Sequence, residues 1–309
     1  MRRIVVLRPG ALGDAVCTVP VLEALRAGAP GAEAMVVGGA GFRLAVEAGH
    51  ATQHVAFDDG RLVGLFAEGG SCPVVAGAEL CIVYYGARPD PMVQANLKRS
   101  GVGAVVNWPA HPPGGVHIVD HLLGAVVAAG LVPVRGRPQL MPQRAWLAAA
   151  EQRLIGMQSG FAVVHPGSGG RAKRWPAERF AETARRLGRP VVWVLGPAEA
   201  EEPELRELGR SVGTVVADPP LPVLAGLLAR CSLYVGNDSG VSHLAAAVGA
   251  PTVAVFGHTD PAVWAPRGEH VVVVGSPAEG GLAAVSVGDV VAAAAKALPV
   301  SPSPSSSSS

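Results

Sequence analysis

The apolar residues of this chain gather into short strand-like runs at residues 4–7, 34–37, near 54–57, 80–85 and 104–107. They do so again at 161–165, 191–195, 214–216 and 251–256, with a further run ending at Val235. Runs without alternation predict strands covered on both faces, as in a parallel sheet. Segments of helical composition stand between many of them, at residues 15–27, 120–130, 146–155, 221–229, 241–248 and 287–298. This alternation predicts α/β units with helices on both faces of each sheet. Residues 58–79 and 86–116 show no usable period and stay unassigned.

Periodicity also fails in LVPVRGRPQLMPQ, residues 131–143, which holds three prolines. The break divides the chain into a first domain at 1–135, a linker at 136–145 and a second domain at 146–300. The low-complexity tail SPSPSSSSS, 301–309, is expected to be disordered. A length of 309 residues with 49% hydrophobic content suits two compact domains better than one. The closing helix, 287–298, is apolar enough to pack on its own domain or to cross to the first.

A formal net charge of +1 gives no reason to propose nucleic acid as a partner, since that normally needs a basic face. Cys17, Cys72, Cys81 and Cys231 form no C-x-x-C and no His/Cys spacing for zinc, so they read as buried thiols of a reducing cytoplasm. The start, MRRIVVLRPGALGDAV, has the two leading arginines of an export signal, but Arg8 and Asp14 interrupt its apolar run. No window reaches the ~20 apolar residues of a membrane-spanning helix. The expected location is the cytoplasm, with at most a peripheral association at the inner face of the membrane.

Candidate chemistry sits in three turns that follow predicted strands. The richest is YVGNDSGVSHLAAAVGAPTVAVFGHTDP, residues 234–261, which reads strand, polar turn, helix, strand, second polar turn. Asp238 and Ser239 can cap the helix, Gly240 lets a ligand approach the backbone, and His243 lies one turn further on. Free N–H groups at such a helix start suit a phosphate. The middle turn, HPGSGGRAKRWP, sets Ser168 and neighbouring glycines beside Arg171, Lys173 and Arg174, a pattern that fits either a diphosphate or a solvated basic turn. In the first turn, RPGALGD, Asp14 follows Gly13 and is either a helix-start carboxylate or a general base facing a crevice. Glu199, after the strand at 191–195, is likewise a helix-start carboxylate or an acceptor for ribose hydroxyls, and the loop ADPPLP can edge a base through its backbone.

Taken together, RPGALGDAVCTVPVLEALR, HPGSGGRAKRWP and GNDSGVSHLAAAVGAPTVAVFGHTDP resemble the heptosyltransferase family, glycosyltransferase family 9, in order and spacing along nearly the full length; residues 40–145 match loosely. The resemblance implies a GT-B architecture: two Rossmann-like, doubly wound parallel-sheet domains facing a central cleft, with the sugar nucleotide on the second. It implies an inverting glycosyltransferase that moves a heptose or similar sugar from an ADP-sugar to an acceptor hydroxyl of a cell-envelope glycan or lipid-linked saccharide.

By the same resemblance Asp14 is the catalytic base, Ser168, Gly169 and Lys173 meet the diphosphate, and Glu199 meets the ribose. Asp238, Ser239, Gly240 and His243 surround the phosphates and sugar. Apart from the resemblance, Gly13 and Arg61 are acceptor-side candidates; Arg61 stands with Arg88, Lys98, Arg99 and His111 in the unassigned stretches, which either contact a second substrate or carry a scatter of surface charges. No Asp-x-Asp motif is present, so the expected enzyme is metal-independent and needs no cofactor beyond its donor substrate. The near-neutral charge departs from the basic surface associated with lipopolysaccharide acceptors and leaves the acceptor open. Two rival readings are a sugar-nucleotide-binding module without transfer activity and a sugar-nucleotide epimerase of similar architecture. A dinucleotide-dependent dehydrogenase is disfavoured because the G-x-G-x-x-G turn is missing.

Overall fold

The computed structural model describes residues 1–134 and 136–299; the predicted tail at 301–309 lies outside the described residues. Eleven parallel strands are present among these residues: β1 (Arg3–Arg8), β2 (Glu33–Gly38), β3 (Gln53–Ala56), β4 (Leu80–Tyr84), β5 (Ala104–Trp108), β6 (Ala162–His165), β7 (Val191–Leu195), β8 (Thr214–Ala217), β9 (Leu233–Asn237), β10 (Thr252–Val255) and β11 (Val271–Val274). The helices that matter most here are the 17-residue Leu12–Gly28 after β1 and Gly240–Ala247 after β9.

The first sheet runs in the order β3-β2-β1-β4-β5 and the second β11-β10-β9-β6-β7-β8. Strand direction of travel across each sheet reverses beside β1 and beside β6. Open parallel sheets hold ligands at such switch points, outside the carboxyl ends of the strands. The unbroken apolar runs explain the buried positions: β4, β6, β7, β9 and β10 are buried at every residue.

The unassigned stretches contain two 3₁₀ turns and the helix Pro91–Arg99, which Asp90 caps by accepting from the Met92 and Val93 amides. The closing helix, Val287–Ala297, does not cross over. Its buried face, Val290 and Ala294 among it, packs with Val253 and Val255 of its own sheet.

The halves meet through the two helices that start at the switch points. Val16 and Val19 of Leu12–Gly28, with Leu44, share one buried cluster with Leu244, Ala245 and Val248. Polar ties surround this seam. Arg267 forks onto Asp120 at 2.6 and 2.7 Å, the Leu140 amide donates to the Ala247 carbonyl at 2.8 Å, and Trp146 donates to Glu47. No helix among the described residues is long and apolar enough to cross a membrane.

Candidate active site

Glycine sets how closely the two helix starts approach. A Cβ on Gly240 would stand 2.7 Å from the Gly13 amide nitrogen, and one on Gly13 would stand 3.3 Å from Gly240 Cα. Around this point lie two adjoining cavities, of about 330 and 630 Å³, which share Ala11, Ser168, Gly169, Ser239 and Gly240 as walls.

The smaller cavity brings Asp14 of the first half together with Lys173, Asp238, Gly240 and His243 of the second. Asp14 holds the start of its helix and also faces this cavity. Its Oδ2 accepts from the Ala11 amide at 2.9 Å, and its Oδ1 accepts from Arg8 Nη2 at 2.7 Å. A carboxylate has about four lone-pair directions, so these two bonds leave acceptor capacity for a substrate hydroxyl. The side chain keeps 30% of its surface open, whereas Arg8 is 1% exposed. That buried guanidinium also donates to the Ala110 carbonyl and lies 5.6 Å from the centroid of the Tyr84 ring. Gly10 is required beside it: φ is +139°, and a Cβ there would meet the Asp14 carboxylate at 2.4 Å.

On the opposite wall Lys173 Nζ donates to Asp238 Oδ2 at 2.7 Å, and Thr259 Oγ1 donates to the same oxygen at 2.5 Å. Asp238 is therefore no helix cap, and Ser239, at the N-cap position, makes no side-chain cap bond either. The capping expectation gives way to a tertiary ion pair, and the amides of Gly240 and Val241 are left without a protein partner among the described residues. Ser168 spends its hydroxyl proton on the Asp238 carbonyl at 2.8 Å, so it presents lone pairs to the cavity where a donor was expected. Of the three cations in the middle turn, Lys173 alone lines the cavity. Arg174 turns away to Glu199 and Glu202 at 2.5 and 2.7 Å, and Arg171 is exposed.

His243 is buried. Its Nδ1 lies 3.5 Å from Cys17 Sγ across the seam, and burial, reinforced by His117 and Lys173 against the opposing pull of Asp238 and Asp14, lowers its pKa to about 4. The imidazole is neutral at ordinary pH. Trp264, edge-on to His111 at 6.0 Å, and Ile118 give the remainder of the small cavity an apolar wall.

The larger cavity opens over the carboxyl ends of β6, β7 and β8. Glu199 lines it, with one oxygen bound to Arg174, and so do Leu221, Leu224 and the ADPPLP loop. Asp218 in that loop is the one non-glycine described residue with positive φ, +43°. Such backbone is held by its surroundings and clusters at ligand sites; here the Asp218 amide is tied to the Leu195 carbonyl at 2.8 Å.

Arg61 does not reach either cavity. It pairs with Asp59 at 2.7 Å and keeps 68% of its side chain exposed, as a surface charge does. Sequence reasoning also passed over Arg8, Asn237 and Thr259. Asn237, fully buried at the end of β9, donates to the Pro166 carbonyl and accepts from the Trp175 amide, and so pins the loop that carries Ser168 and Lys173. A lone arginine closing a buried strand before a glycine turn was the available signal for Arg8.

Two doubly wound parallel-sheet domains meeting at their ligand-binding edges make this a GT-B fold. The chain belongs to glycosyltransferase family 9 (heptosyltransferase), whose sequence model matches residues 98–292. Among solved structures it is similar to a family 9 glycosyl transferase from Veillonella parvula, with a TM-score of 0.80 and 21% identity over 96% of this chain and 97% of that one. It is also similar to ADP-heptose lipopolysaccharide heptosyltransferase II of Escherichia coli, with a TM-score of 0.75 and 20% identity over 96% and 98%. By sequence it is 26% identical over 171 residues to lipopolysaccharide heptosyltransferase 3 of Escherichia coli, 52% of this chain and 50% of that protein. It is 34% identical over 130 residues to lipooligosaccharide heptosyltransferase 2 of Haemophilus influenzae, 39% and 37% respectively. The matched stretches thus span half the length of these curated relatives or less.

Proposed function

We propose that this chain is an inverting glycosyltransferase that moves a heptose or similar sugar from an ADP-sugar to a hydroxyl of a cell-envelope glycan or lipid-linked saccharide. The observation that carries the reading is the Asp14 carboxylate facing one cavity together with Lys173 and with Gly240, whose amide has no protein partner among the described residues. In a single displacement Asp14 takes the acceptor hydroxyl proton as that oxygen bonds to the anomeric carbon. The bond from that carbon to the diphosphate breaks, and its electron pair leaves with the phosphate oxygen. The Lys173 ammonium has three donors and spends one on Asp238, so two remain for the departing diphosphate. Helix amides add donors already aimed at that charge. These groups support a reaction that needs neither metal nor cofactor, with the adenosine in the larger cavity beside Glu199 and the Asp218 loop. The relatives' printed activities favour an ADP-heptose donor and a lipopolysaccharide-type acceptor.

The test is turnover and product analysis with a panel of nucleotide sugars and saccharide acceptors, with and without EDTA. Transfer with inverted anomeric configuration, unchanged by EDTA, is the expected result. Asp14→Asn should bind ADP as the wild type does while losing roughly 10²–10⁴-fold in kcat, the usual contribution of a general base. Product from the donor alone, with a changed sugar configuration, would favour an epimerase; tight donor binding with no turnover under any condition would favour a binding module.

A further inference from the structure

We infer that the Cys17 thiol of the first domain fixes the tautomer of His243 in the second, so that the imidazole presents an Nε2–H donor to the smaller cavity. The geometry is a cross-domain contact: Cys17 Sγ lies 3.5 Å from His243 Nδ1, and no other partner of that sulfur is in reach among the described residues. The thiols of Cys72 and Cys231, by contrast, each donate to a backbone carbonyl, of Arg61 and Leu228. Burial pushes the Cys17 thiol up to about 12, Arg8 opposing and Asp14 adding to the rise, so the sulfur keeps its proton.

A protonated thiol with a single neighbour donates to that neighbour. A neutral imidazole has one N–H and one lone-pair nitrogen, so Nδ1 is the acceptor and Nε2 carries the hydrogen. The opposite tautomer would aim Nδ1–H at a weak sulfur acceptor and strand the thiol hydrogen. His243 Nε2 has no protein partner among the described residues, and the ring lines the cavity with Lys173 and Gly240. Asp14, His117, Asp238 and Lys173 surround the ring electrostatically without hydrogen-bonding to it.

An uncharged N–H held in this orientation suits an anionic oxygen or sugar hydroxyl, whereas the other tautomer would turn a lone pair on it. Cys17 stands one helical turn after Asp14 on the same helix, so the element that carries the carboxylate also orients the imidazole. Cys17 is thus a positioning residue. What the N–H is used for rests on the proposed transferase reading; the tautomer does not.

The test is a long-range ¹H–¹⁵N correlation spectrum of the full-length, ligand-free protein with ¹⁵N-labelled histidines at pH 7, with His243 assigned by the cross-peaks lost in His243→Gln. The expected spectrum has Nε2 protonated and Nδ1 bare. Cys17→Ser, which keeps a hydrogen donor on a shorter bond, should retain more of that spectrum and more of kcat/KM than Cys17→Ala. Cys17→Ala should show a mixture of tautomers and lose roughly tenfold in kcat/KM, the scale of one misdirected hydrogen bond. A wild-type His243 protonated on Nδ1, or a Cys17→Ala spectrum identical to wild type, overturns the inference. The expected tautomer in a protein without transfer activity would leave the inference standing and remove the proposed reaction instead.

Discussion

Gly240→Ala adds one methyl where the two helix starts face each other across the seam. Its Cβ would stand 2.7 Å from Gly13 N, 3.0 Å from Leu12 Cβ and 3.3 Å from Leu12 C. Gly240 is not among the glycines of positive φ, so alanine is compatible with its backbone and only space refuses it. Carbon contacts settle at roughly 3.5–4.0 Å, so the helix starts must part by about 0.8 Å or more. Overpacking costs about 1–3 kcal/mol. Up to ~1 kcal/mol returns from the helix preference of alanine over glycine, which leaves a stability loss of about 0–3 kcal/mol. Turnover should suffer more, because a displacement of ~1 Å between reacting groups can cost ~10²-fold. The assay is steady-state kinetics with ADP binding measured by calorimetry. The methyl points at the first domain, so kcat/KM should fall ~10²-fold while ADP affinity changes little. Gly13→Ala, whose nearest contact is 3.3 Å, should lose less, and Gly114→Ala, in open space, should lose nothing. Wild-type kcat/KM in Gly240→Ala would show that the working site does not need this closure, and the argument from glycine spacing would fail.

Lys173→Met should weaken ADP binding by about 1.5–3 kcal/mol, the worth of a hydrogen bond to a charged group, and calorimetry with an unchanged Kd would take Lys173 out of the donor site. Burial lowers the pKa of His243 to about 4 and also lowers those of His50, His117, His121 and His165. Unfolded histidines titrate near 6.5, so between about pH 6.5 and 4 the unfolded chain binds more protons than the folded one and stability falls as pH falls. His243 alone can contribute up to about 3 kcal/mol of that loss. Urea midpoints should therefore decline steadily below pH 6.5 and less steeply in His243→Gln; a flat profile down to pH 5 would contradict the burial of these rings.

Most of the fold was legible because parallel strands covered on both faces must be apolar at every position; β7, Val191–Leu195, falls where its run predicts it. β11, Val271–Val274, carries the same kind of four-residue apolar run and went unread although its signal was present; as an edge strand its positions are half-buried. The helix Pro91–Arg99 had a local signal in Asp90-Pro91, a cap followed by proline at the first helical position, but its low hydropathy hid it. In the site, Gly240 and His243 were readable because a helix start after a strand end is a local event. Arg61 pairs with Asp59 two residues away and stays exposed, as the surface-charge reading of its stretch has it.

The residues that escaped have roles set by partners far along the chain. Arg8 answers to Ala110 and Tyr84, Thr259 to Asp238, Asn237 to Pro166 and Trp175, and Cys17 to His243. Each lies inside one of the quoted motifs yet holds a recognisable residue or loop in place through a contact the motif does not show. The division has a physical basis: backbone amides at a helix start are supplied by local geometry, whereas aiming a carboxylate, an ammonium or an imidazole takes a second group at fixed distance. Cys17 joins the two kinds, since Asp14, one turn earlier on its helix, sits in a readable turn, while its contact with His243 exists only when the domains meet. Loss of activity on separating the domains should therefore exceed what the lost proximity of Asp14 alone would cause, because the donor-side imidazole loses its orientation in the same step.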